Sequence, residues 1–208
     1  MNIVLKAADF AARKHVNQRR KNGNKDPYIN HPIGVAKWLS ECSVDDPEIL
    51  AAALLHDVLE DTTTTADELT KLFGNRVTKL VLECSDDKSK SKVERKKLQL
   101  LHSSEISFEA KLIKLADKWF NLFDEDSGLI DNPPQGWSHE EVYGCICWSY
   151  AVCKTICKSI EDVPGIKNMM QLFTEEVGEE ISTLTEDQLN ERLEAYYKLL
   201  DIGPSRAL

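Results

Sequence analysis

The nine residues "LLHDVLEDT", 54 to 62, gather one histidine and three carboxylates. Read as helix, His56 and Glu60 are four apart, Asp57 and Asp61 are four apart, and Asp57 and Glu60 are three apart. All four side chains then share one side of two successive turns. Like charges at such spacing cost about 0.2–0.5 kcal/mol per pair, and carboxylates at a helix C-terminus oppose the macrodipole by about 0.3–1 kcal/mol. An exposed acidic helix end would account for this stretch alone, but two others point to chemistry. In "DPYINHP", Pro32 restricts His31 and biases it towards an extended conformation at the start of a helix. In "LIKLADKWFNL", Asp117 interrupts an almost wholly apolar run, where a carboxylate needs a partner. His31, His56, Asp57 and Asp117 form a nitrogen and oxygen set suited to Mn²⁺, Fe²⁺ or Zn²⁺ rather than Ca²⁺. Such a cation would neutralise Asp57 and lower the cost of holding Glu60 and Asp61 nearby. One turn further on, Glu60 and Asp61 stand where a general base or acid for a metal-activated water belongs.

Helices must carry all of these residues. Apolar side chains recur at helical spacing nearly throughout, from "LKAADFAARKH" to "EDQLNERLEAYYKLLDIG", and no long alternating run suggests a sheet, so the fold class is all-α. Pro32 and Pro47 sit where a first helical residue belongs, Asp46 can cap the helix that Pro47 begins, and Gly74 and Gly203 follow apolar runs as stops. "RRKNGNKDPYIN", "SDDKSKSK" and "DEDSGLIDNPPQGWS" read as loops. With 208 residues and 42 % apolar composition the chain suits one domain. Residues 1–160 are assigned to it. Residues 161–208 are read as an acidic, weakly patterned extension whose last amphipathic helix packs back on the domain.

A net charge of −9 argues against nucleic acid or an anionic membrane as partner and leaves an anionic small molecule dependent on a local basic pocket. The absence of a long apolar run and of a signal-peptide cleavage region points to the cytoplasm. The six cysteines contain no C-x-x-C pair and are expected to be free thiols packed as small apolar groups.

The order H…HD…D, as His31, His56–Asp57 and Asp117, resembles the HD-domain metal phosphohydrolases. "DPYINHPIGVA", "AALLHDVLEDT", "FGNRVTKLV" and "KLADKWFNL" further resemble the guanosine penta- and tetraphosphate hydrolase domain of RelA/SpoT proteins, in the form of the small stand-alone animal homologues of SpoT. The likeness runs from about residue 6 to 160. It implies a compact multi-helix domain, one Mn²⁺, and removal of the 3′-pyrophosphate of (p)ppGpp to leave GDP or GTP. Carried over by motif, His31, His56, Asp57 and Asp117 are the metal ligands and Glu60 and Asp61 the catalytic acidic pair. Arg20 and Lys21 match the basic pair beside the nucleotide, and Asn121 the asparagine four residues after the last ligand.

Departures from the family pattern fall on the phosphate side. Phe123 stands where the family commonly has arginine, and Glu141 and Cys145 align with an arginine and a tyrosine that help hold the substrate. Lys111, Lys114 and Lys118 either compensate or form the wet face of their helix. A second substrate fits the resemblance, since the animal homologues are also associated with removing the 2′-phosphate of NADPH. A third reading, a metal-stabilised scaffold without catalysis, gains nothing from Glu60 and Asp61, and their presence argues against it.

Overall fold

The computed structural model describes residues 2–124, 126, 128–159 and 164–202, and among them every element is a helix. Among the described residues the one strand-like feature is an isolated bridge between Arg19 and Pro27. Backbone packing divides the chain into two compact units, Met1–Asp86 with Glu105–Gln135, and Asp87–Ser104 with Gly136–Leu208.

The first unit holds α1 (Ile3–Lys14), α2 (Asn30–Glu41), α3 (Pro47–Leu55), α4 (Val58–Asp61), α5 (Ala66–Phe73), α6 (Asn75–Cys84) and α8 (Phe108–Phe123), α7 falling in the other unit. At its centre is α3, packed on α1, α2, α6 and α8. Ala51, Ala52 and Ala53 are fully buried, and their small side chains let neighbouring helices approach α3 from several sides. Local chemistry sets the helix ends. The Asp46 carboxylate accepts from the Glu48 N–H at 2.9 Å, with Pro47 as the first helical residue. Gly74, at φ 86°, ends α5 in a conformation that side chains disfavour.

Two local expectations are corrected. Pro32 is the third residue of α2 rather than its first, and His31 is helical rather than extended. A proline is tolerated there because a first-turn N–H has no intrahelical acceptor to lose. "LLHDVLEDT" is also not one helix, because α3 ends at Leu55 and α4 begins at Val58. The His56 ring nitrogen Nδ1 donates to the Ala53 carbonyl at 2.7 Å, taking the acceptor that a continuing helix would offer to the Asp57 N–H.

The second unit holds α7 (Lys92–His102), α9 (His139–Lys158), α10 (Pro164–Val177), α11 (Glu179–Ser182) and α12 (Glu186–Ile202). Its long central helix α9 packs on the other four. Gly144 of α9 lies against the Tyr196 side chain of α12, where an added Cβ would stand 2.6 Å from Tyr196 Cδ2. Helix α10 falls in the weakly patterned stretch, with Met169, Phe173 and Val177 buried at four-residue spacing. Gly203, expected to stop the last helix, lies outside the described residues. All six cysteines are free, with Cys84, Cys147 and Cys153 buried and the other three half-buried. No helix among the described residues is long and apolar enough to cross a membrane.

Candidate metal centre

Three elements of the first unit deliver the chemistry: α2 carries His31, the break between α3 and α4 carries His56 and Asp57, and α8 carries Asp117. The two imidazoles are buried and face each other, with 3.2 Å between their Nε2 atoms. Asp57 Oδ2 lies 3.0 Å from His56 Nε2 and 3.6 Å from His31 Nε2. Asp117 Oδ1 lies 3.1 Å from His31 Nε2 and 3.6 Å from His56 Nε2. The donor atoms of His31, His56 and Asp117 are all within 4.8 Å of one another.

This set fits a divalent cation. A carbonyl oxygen can only accept, so His56 Nδ1 carries the proton shared with Ala53, which leaves Nε2, facing His31, as the nitrogen that would ligate an ion once deprotonated. The two Nε2 atoms, 3.2 Å apart, are close enough for one ion at metal–nitrogen distances of about 2.1 Å to be held by both. His31 Nδ1 is buried without a hydrogen-bond partner.

The electrostatics of the cluster turn on its two carboxylates. Burial pushes His31 below its ordinary range. Burial acts in that direction on His56 too, but the Asp57 charge and the hydrogen bonds that the two aspartates accept from the ring outweigh it and leave it well above its ordinary value. For Asp57, burial opposes ionisation, yet the His56 charge and hydrogen bond hold the carboxyl below its usual range. Asp117 is likewise held well below, against the effect of burial, first by the Lys118 charge and then by the imidazoles. The two carboxylates stay charged around a point that attracts a cation.

Glu60 and Asp61 stand on α4, just past the aspartate at the break. Glu60 Oε1 accepts from the Asp86 backbone N–H at 2.6 Å. The Asp61 carbonyl accepts from the Gln18 side-chain amide at 2.6 Å. Arg20 donates to Asn121 Oδ1 at 3.1 Å, and the Asn121 amide donates to Asp117 Oδ1 at 2.6 Å, which joins Arg20 to the cluster through one side chain. Lys21 is exposed.

The wet-face reading of the α8 lysines fails, because Lys111, Lys114 and Lys118 are all buried. Lys118 Nζ is 2.7 Å from Asp117 Oδ2, and Lys114 Nζ donates to the Cys84 carbonyl at 3.2 Å. Phe123 packs on Trp119, which stacks on Trp38. Glu141 closes a capping box on α9, accepting from the Ser138 N–H at 2.7 Å while Ser138 Oγ accepts from the Glu141 N–H. Tyr28, in the same short motif as His31, places its hydroxyl 2.6 Å from Asp57 Oδ2, a contact that helical spacing does not reveal. Burial, followed by the charges of Asp57 and Asp61, keeps its phenol well above the ordinary value and hence protonated.

Helices that bring two histidines and two aspartates to one point in the order H…HD…D define an all-helical divalent-metal protein of the HD class. The HD domain family matches residues 7–125. The human guanosine-3′,5′-bis(diphosphate) 3′-pyrophosphohydrolase MESH1 is 51 % identical over 152 residues, spanning 73 % of this chain and 83 % of that protein. The protein of that name from Danio rerio is 44 % identical over 174 residues, spanning 83 % and 93 %. A solved structure described as a metazoan ortholog of SpoT that hydrolyzes ppGpp and plays a role in starvation responses superposes with a TM-score of 0.77 at 38 % identity, covering 86 % of this chain and 97 % of that one. The chain belongs to the HD domain family, in the RelA/SpoT-type branch that these relatives represent.

Proposed function

We propose that this chain is a Mn²⁺-dependent hydrolase that removes the 3′-pyrophosphate of guanosine tetra- and pentaphosphate, releasing pyrophosphate and leaving GDP or GTP. The observation that carries the proposal is the convergence of two facing Nε2 atoms with Asp57 Oδ2 and Asp117 Oδ1, in a chain whose relatives bear that activity in their names. His31, His56, Asp57 and Asp117 would hold the ion. When bound, it supplies a Lewis acid for phosphoryl oxygen and lowers the pKa of water.

The remaining work falls to side chains. Glu60 and Asp61 hold and pass the proton that hydrolysis requires, and the Asp86 N–H keeps Glu60 from swinging away. Gln18 fixes the backbone at Asp61 in the same way. Arg20 and Lys21 supply positive charge to a polyanionic nucleotide in a chain of net charge −9, and the planar guanidinium of Arg20 can also stack on a base. Asn121, expected to touch substrate, spends both ends of its amide between Arg20 and Asp117. Its role is to align the nucleotide-binding cation with a metal ligand.

The test is product analysis of the Mn²⁺-loaded protein incubated separately with ppGpp and with NADPH. Pyrophosphate and GDP from ppGpp support the proposal. Phosphate from NADPH with no pyrophosphate from ppGpp would move the substrate while leaving the site in place. No product from either, with metal bound, would favour the scaffold reading.

A further inference from the structure

Tyr28 lies in the loop ahead of α2, and its hydroxyl reaches Asp57 Oδ2, the oxygen that faces both imidazoles. The same hydroxyl is 3.5 Å from Asp61 Oδ2. A phenol has one proton to give, and at these distances Asp57 receives it. The ring is located by its neighbours rather than by any ion. His15 tilts against it at 4.9 Å between centroids, the His31 ring meets it edge-on at 5.8 Å, and the Arg20 guanidinium lies 6.0 Å from its centre. His15 is buried and bonded to Gln18, the residue whose amide holds the Asp61 carbonyl.

The arrangement has a counterpart. Asp117 Oδ1, which faces the same imidazoles, takes its outer hydrogen bond from Asn121. Each inward-facing carboxylate oxygen therefore carries one donor from behind. A carboxylate without that donor rotates in a broad, roughly two-fold well and offers either oxygen. Loss of such an outer partner typically weakens metal binding by about 10–100-fold.

We propose that Tyr28 is a positioning residue of the metal centre, its hydroxyl aiming Asp57 Oδ2 at the ion and standing between that ligand and Asp61. The inference rests on the metal-site reading above and assigns a role to a residue outside the four ligands and the acidic pair. Tyr28→Phe keeps the ring contacts and deletes only the hydroxyl, whereas Tyr28→Leu deletes both.

The experiment is a Mn²⁺ titration of wild type and both variants, followed by the electron paramagnetic resonance signal of free Mn²⁺, with thermal unfolding of each metal-free protein. Tyr28→Phe is expected to lose about 10–100-fold in Mn²⁺ affinity with its metal-free melting temperature nearly unchanged, and Tyr28→Leu to lose at least as much. Wild-type affinity in Tyr28→Phe would overturn the proposal. So would a metal-free Tyr28→Phe protein that no longer folds, since the hydroxyl would then serve the fold. Failure of wild type itself to bind Mn²⁺ would refute the metal-site reading, so the two failures are distinguishable.

Discussion

Gly34→Ala is expected to destabilise the first unit and loosen its metal site together. Gly34 lies inside α2, and a Cβ there would stand 1.8 Å from Phe120 Cε2 and 2.3 Å from Phe120 Cζ on α8. Carbon atoms in contact prefer about 3.5–4.0 Å, so the ring or the helix must retreat by about 1.7 Å. Phe120 has little freedom to do so, because its ring packs on His31 with 5.4 Å between centroids. Two effects of opposite sign compete. Replacing a mid-helix glycine by alanine is worth about 0.5–1 kcal/mol in favour of the helix. Overpacking costs about 1–3 kcal/mol, and a clash this deep belongs at the upper end. The net loss is about 2 kcal/mol, or about 4–8 °C in melting temperature for a chain of this size. Thermal unfolding of Gly34→Ala, Phe120→Leu and the double variant checks it, since a shorter side chain at 120 should relieve most of the alanine's cost. A single variant as stable as wild type, or a double variant whose losses simply add, would refute the reasoning.

Three other outcomes follow from the structure. Arg76 holds the Asp46 carboxyl below its usual range through a hydrogen bond, so this acid stabilises the fold above its unfolded value of about 3.9 and loses that contribution as pH falls through its lower folded value. Asp46→Asn, which keeps the cap, should therefore melt below wild type at pH 7, with the gap closing as pH drops below about 4. Glu141→Gln retains the capping box but removes a first-turn carboxylate that favours the N-terminus of α9, so thermal unfolding should show a loss of about 0.3–1 kcal/mol, and an unchanged transition would contradict that reading. Stripping Mn²⁺ with a chelator from protein held at 100 times its Kd should remove about 2.7 kcal/mol, or about 5–11 °C, from the transition of the first unit. Calorimetry showing no shift would exclude metal from the folded state.

The convergence of His31, His56, Asp57 and Asp117 was legible in the sequence because such residues are rarely left unpaired among apolar neighbours, and Asp117 needed an answer wherever its helix packed. The break after Leu55 was not, since it depends on a side chain competing with the backbone for the Ala53 carbonyl. Spacing alone left Lys111, Lys114 and Lys118 open between a compensating charge and a solvated face. For Lys114 and Lys118, a carbonyl from α6 and the Asp117 carboxylate provide acceptors inside the fold, and composition does not reveal such partners. Helix α10 hid because its apolar positions, Met169, Phe173 and Val177, are thinly spread through an acidic stretch. Glu141 carried a signal that went unused, since Ser138 three residues earlier makes a capping box readable from sequence. Phe123, where the family commonly has a cation, packs on Trp119, which stacks on Trp38, and such neighbours across helices are not read from one motif.

The most direct measurement is bound Mn²⁺ and pyrophosphate release in the same samples of wild type and Glu60→Gln, Asp61→Asn, with ppGpp as substrate. The account predicts one bound ion in both proteins and turnover reduced at least about 100-fold in the variant, the scale of a lost general acid–base step. A variant that keeps wild-type turnover, or a wild type that releases pyrophosphate with no metal bound, would contradict it.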